Sequence, residues 1–163
     1  MKDKDAFRSP SQGQMKLASV AQEISGFINE DLGSKYRLIV GTDSNGVNGD
    51  RIADFVTAII VHRVGKGGRY FWKKVNGEKI YHTLRDRIHR EVILSLETAQ
   101  QLGSSLELIR DPDFDFQIHI DVGQNGPTRE MIREVVGMVR GNGFKAKIKP
   151  DSYAASSVAD RHT

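Results

Sequence analysis

The chain has 163 residues, 38% of them hydrophobic and 28% charged, with a formal net charge of +3. That is the size and composition of one ordinary globular domain with a core of its own, and it excludes a disordered chain. The absence of cysteine removes disulfide scaffolds, thiolate zinc sites and cysteine nucleophiles together, and fits a reducing cytoplasm.

The N-terminus, Met1-Lys2-Asp3-Lys4-Asp5, carries acids and leads into no apolar core, so it does not read as a signal peptide. Residues 1–13 read as a loose polar lead-in. A helix is predicted over 14–32, where Leu17, Val20, Ala21, Ile24, Phe27 and Ile28 recur at helical spacing before Gly33. Residues 36–42 read as a strand running into Asp43-Ser44-Asn45-Gly46, and 53–63 as a second strand with two largely apolar faces. Its apolar run, 56–61, is far too short to span a membrane. Gly65-Lys66-Gly67-Gly68 is a hairpin turn into a third strand at 69–75. Thr83 opens a long helix, with Asp86 placed as in a capping box, and Gly103 ends it after Leu102. Phe114, Phe116, Ile118 and Ile120 alternate with Asp115, Gln117, His119 and Asp121, a strand period. A helix from Gly126-Pro127-Thr128 to Gly141, a short strand at 144–149 and a last helix of small residues at 153–160 complete the chain.

After the first helix, the order is β-β-β-α-β-α-β-α. This is the ribonuclease H topology: an α/β fold with a mixed five-stranded sheet, expected here as a single domain over 1–163 with the first strand between the second and fourth. That fold carries acids on its first strand, first sheet-linked helix, fourth strand and last helix. Asp43, Glu91, Asp121 and Asp160 stand at those places. Each has an ordinary alternative. Asp43 and Asp121 could cap turns, Glu91 could pair with Arg87 one turn back, and Asp160 could be a surface acid. On a helical wheel Leu84, Ile88, Val92, Leu96, Ala99 and Leu102 share one arc. Glu91 is the only acid at the edge of that arc. Together the four acids form a hard-oxygen set suited to Mg²⁺ or Mn²⁺, and two such ions can activate a water against a phosphodiester.

The stretches GTDSN (41–45), RIHREVILSLETA (87–99), IHIDVGQNGPT (118–128) and KPDSYAASSVAD (149–160) resemble those of the YkuK-like bacterial family, classed as ribonuclease H-like. The resemblance covers the chain from about residue 15 and implies that fold. It implies a candidate metal site at Asp43, Glu91, Asp121 and Asp160 of the kind nucleases and other phosphodiester-processing hydrolases use. A non-catalytic module that binds nucleic acid or a protein partner is the alternative. Actin-like sugar kinases share the fold core but need two such domains.

The remaining signals are weaker. Gly65-Lys66-Gly67-Gly68 lacks the spacing of a phosphate loop. Tyr70, Phe71 and Trp72 could stack bases or simply pack the sheet. Lys73, Lys74 and Lys79 cluster, and Lys145, Lys147 and Lys149 alternate along one strand face. That face could follow a phosphate backbone or protect an edge strand.

Overall fold

The structure is a computed structural model that describes residues 6–46, 53–75, 83–106 and 114–152. In chain order the described elements are β1 (Phe7–Arg8), β2 (Gln14–Met15), α1 (Leu17–Asn29), β3 (Tyr36–Gly46), β4 (Ala53–Arg63), β5 (Gly68–Val75), α2 (Leu84–Ser105), β6 (Asp115–His119), a short 3-10 turn (Arg129–Met131), α3 (Ile132–Gly141) and β7 (Lys145–Lys147). The expected last helix at 153–160 lies outside the described residues.

All strands join one sheet in the order β2-β1-β5-β4-β3-β6-β7. β3 is internal, antiparallel to β4 and parallel to β6, and β6 continues parallel to β7. The meander β3-β4-β5 and the parallel pair β3-β6 are those the element order implies. The sheet has seven strands rather than the expected five, because the lead-in is not loose after residue 5. Phe7 and Met15 pair across a hairpin of two-residue strands, Arg8 pairs with Trp72 of β5, and the Phe7 and Met15 side chains are buried in the main core. Strands two residues long carry no readable period, which is why the sequence conceals them. For the same reason the first helix begins at Leu17 and not at residue 14.

The apolar faces of α1, α2 and α3 pack on one side of the sheet, against Leu38 and Val40 of β3, Ile59 and Val61 of β4, and Phe116 and Ile118 of β6. α2 buries Ile88, Val92, Leu96, Ala99 and Leu102, the arc its sequence indicates. It runs past Gly103 to Ser105. An interior glycine costs only about 1 kcal/mol, and Leu102 and Leu106, both buried, hold the chain on the core across it. α3 begins later than expected because the Thr128 hydroxyl accepts from Gly123 N at 3.1 Å instead of capping the helix. Among the described residues no helix is long and apolar enough to cross a membrane.

Two polar contacts seat α2 on the sheet. Ser95 Oγ lies 2.8 Å from Thr42 Oγ1, which also lies 2.9 Å from Thr57 Oγ1 of β4; all three hydroxyls are buried. One helical turn earlier, Glu91 meets Ser44 of the same strand. At its N-terminus α2 is capped by Thr83, whose hydroxyl accepts from Asp86 N at 3.0 Å. Replacing that hydroxyl leaves a helix N–H unsatisfied, so Thr83→Ala is expected to lower unfolding stability by about 1 kcal/mol in urea titration, without loss of fold.

Candidate acidic site

Glu91 is the acid whose surroundings say most. It is 4% exposed, on a helix face otherwise given to the apolar core. Ser44 Oγ donates to its Oε2 at 3.1 Å, while its Oε1 is buried and has no hydrogen-bond partner among the described residues. Burial pushes its carboxyl well above the usual carboxylate range. The negative charge of Asp43 adds to that shift, the Ser44 hydrogen bond opposes it, Asp121 adds again, and Arg87 opposes weakly. The alternative pairing with Arg87 is absent: no ion pair joins the two, and Arg87 acts only as a nearby charge.

Asp43 does not sit in a turn. β3 continues through it to Gly46, with Asp43 opposite Val56 of β4, and its Oδ1 accepts from Ser44 N at 3.0 Å. The β3–β6 register ends at Gly41 opposite His119, and Asp43 and Asp121 each stand two residues beyond that last pair. Asp121 does not cap the turn after it, since Thr128 holds Gly123 N. Instead Lys149 Nζ lies 2.9 Å from Asp121 Oδ1. Asp160 lies outside the described residues.

Asp43 and Asp121 are thus both close enough to raise the proton affinity of Glu91. Among the described residues, however, no three acids or histidines are grouped closely enough to hold a metal ion. The donor chemistry suits a hard divalent cation: carboxylate oxygens, one of them buried and unpartnered. Glu91 feels the charges of Asp43 and Asp121, and Lys149 pairs with Asp121.

The lysines of β7 are spoken for in the same way. Lys145 Nζ lies 3.5 Å from Asp115 Oδ1, so with Lys149 two of the three alternating lysines answer acids of the neighbouring strand. That places them as edge-strand partners rather than as a free phosphate track. Along the same face Gln117 Nε2 donates to Asp115 at 2.9 Å, which turns its Oε1 to His119 Nε2 at 2.9 Å. The ring must donate from Nε2 to make that contact. Burial, with the positive charges of Arg37 and Lys147, pulls the His119 pKa down to about 4, so it is a neutral buried ring rather than the partly exposed one its strand position suggests.

A second feature escaped the sequence. Arg129, Arg133 and Arg140 are exposed and make no ion pair with the described residues. With Gln124, Glu130, Val136 and Gly137 they line an open groove of about 760 Å³ along the 3-10 turn and α3. The signal was spacing: Arg133 and Arg140 lie two turns apart on one face of α3, and Arg129 precedes them in the 3-10 turn.

Residues 19–163 match the family described as Ribonuclease H-like. The chain belongs to the ribonuclease H-like family. It is also 37% identical to the "Uncharacterized protein YkuK" of Bacillus subtilis (strain 168), over 100% of this chain and 99% of that one. No solved structure gives a significant match.

The buried Glu91 makes a pH-dependent contribution whose sign follows from its raised pKa. In the unfolded chain it loses its proton near the ordinary value, while the folded protein keeps it. Stability therefore falls as pH rises above about 4.5, until the folded-state pKa is passed. Glu91→Gln, which cannot ionise, is expected to be more stable than wild type at pH 7 in the presence of EDTA. The gap should close toward pH 4.5, as read from thermal melts across pH. His119 acts in the other direction. Its depressed pKa contributes stability that is complete above about 6.5 and lost as pH falls toward about 4. His119→Gln should flatten that acid limb.

Proposed function

We propose that this ribonuclease H-like protein is a divalent-metal-dependent hydrolase that cleaves phosphodiester bonds in nucleic acid. Asp43, Glu91, Asp121 and Asp160 are its ligands and Mg²⁺ or Mn²⁺ its ion. The observation that carries this is the state of Glu91. A carboxylate is buried against an apolar core, one oxygen held by Ser44 and the other unpartnered, with the charges of Asp43 and Asp121 bearing on it. Such an arrangement is costly unless a proton or a cation balances it. A reducing cytoplasm suits a cysteine-free nuclease of this kind.

A bound divalent ion would supply Lewis-acid activation of a water and stabilise the oxygen that leaves phosphorus. The protein's own residues do the positioning. Ser44 fixes Glu91 Oε2 and leaves Oε1 as the donor, and the Thr42–Ser95 contact one turn along keeps α2 from rotating it away. Arg129 of the 3-10 turn and Arg133 and Arg140 of α3, which form no ion pair with the described residues although Glu130 lines the same groove, would offer phosphate contacts away from the other carboxylates.

One observation favours a second reading, a non-catalytic module that keeps the fold and binds nucleic acid or protein. Among the described residues the acids do not form a ready three-ligand group. Thermal melts with Mn²⁺ separate the two. At a hundredfold excess over its dissociation constant the ion should stabilise wild type by about 2.7 kcal/mol. Asp43→Asn should lose that gain while its metal-free stability is kept or raised, because a repulsion on Glu91 is relieved. Mn²⁺-dependent cleavage of DNA or RNA should disappear in the same variant. Binding without cleavage, and melts that Mn²⁺ leaves in place, would select the module.

If α3 contacts phosphates, affinity for nucleic acid should fall steeply with salt. Replacing Arg129 and Arg133 together by alanine should reduce the slope of log affinity against log salt by roughly 2. Fluorescence anisotropy across a salt series, in EDTA, measures this apart from any cleavage.

A further inference from the structure

We propose that Lys149 is the built-in cation of the acidic site, a positioning residue whose ammonium balances Asp121 until a divalent ion takes that carboxylate in exchange. This rests on the metal reading above and adds to it the residue that sets how strongly the site draws its ion.

Two independent features hold the ammonium where it is. The first is the ion pair itself, Nζ to Asp121 Oδ1 at 2.9 Å. The second is the path of the side-chain stem. A Cβ added at Gly123 would stand 3.2 Å from Lys149 Cβ and 3.4 Å from its Cδ, so the stem lies flat against the glycine that follows Asp121 and Val122. The backbone adds a third constraint, since Lys149 N donates to Val122 O at 2.9 Å. The chain after β7 is thus pinned beside the segment that carries Asp121, and the stem runs past Gly123 to that carboxylate.

The energetics suit exchange rather than a permanent bridge. The Lys149 side chain is 57% exposed and that of Asp121 30%, so the pair is solvated and weak. Releasing the lysine to water costs little, whereas a divalent ion brings two charges to the same oxygens. Meanwhile Glu91, whose proton affinity Asp121 raises, sits in a less negative surrounding as long as the ammonium stays. Lys149 therefore makes the ion-free site tolerable and at the same time competes with the ion.

The test is Mn²⁺ affinity of the full chain by calorimetry, for wild type, Lys149→Met and Lys149→Arg, each with and without Asp121→Asn. Removing the competing charge should tighten binding about two- to fivefold in Lys149→Met, the range a solvated ion pair supports. Lys149→Arg, which keeps the charge, should stay near wild type. In the Asp121→Asn background the methionine substitution should have no effect, because the partner is gone. Equal affinity of wild type and Lys149→Met, or an effect that survives Asp121→Asn, overturns the exchange while leaving the metal site standing. No Mn²⁺ binding by any variant overturns both. A readout free of folding effects uses wild type with ¹³C-methylated lysines. The Lys149 resonance should move as Mg²⁺ is added, and a resonance that does not move as the ion binds also overturns the proposal.

Discussion

The structure turns on the match in spacing between one strand and one helix. Thr42 and Ser44 project from the same side of β3, about 6.6 Å apart along an extended chain. Ser95 and Glu91 project from the same side of α2, one turn and about 6 Å apart. The two pairs meet as rungs, Thr42 with Ser95 and Ser44 with Glu91. Thr57 joins the first rung from β4. A shift of α2 by one residue would rotate it by about 100° and break both, leaving buried hydroxyls and a carboxylate without partners. The apolar arc of α2 is non-directional and would tolerate some sliding; the polar rungs fix its rotation. The direction and depth of Glu91 follow from that.

Fixing Glu91 there creates the electrostatic strain that gives the site its character. A carboxyl among apolar side chains resists ionisation, and Asp43 within β3 and Asp121 just past β6 add like charge to it. The sheet answers with cations drawn from its edge. β7 lies beside β6 in parallel register, and Lys145 and Lys149 reach Asp115 and Asp121 across the gap. Between them the Asp115–Gln117–His119 chain of hydrogen bonds satisfies polar groups without adding charge, because the imidazole stays neutral. The acids at this end of the sheet are therefore partly balanced by lysines of the neighbouring segment.

Much of the fold was legible because long elements repeat a pattern. β4 has the bounds its two apolar faces indicate, and α2 buries the arc its wheel draws. What escaped was short or cooperative. β1 and β2 are held by pairing with each other and with Trp72, which no local period records. Thr128 looked like a helix cap and instead serves Gly123, so α3 starts late. His119 looked partly exposed until Gln117 and the neighbouring strand closed around it.

For the acids the division is similar. The sequence by itself determined that Asp43, Glu91 and Asp121 stand on the first long strand, the long helix and the end of the parallel strand, because periodicity and topology follow from residue types along the chain. Only the tertiary structure decided their condition: that Ser44 holds Glu91, that Arg87 does not, and that Lys149 rather than a turn amide engages Asp121. Those outcomes depend on distances between elements far apart in the chain. Charge and hydrogen bonding act across space over a few ångströms, and a linear pattern records only which side of its own element a residue occupies.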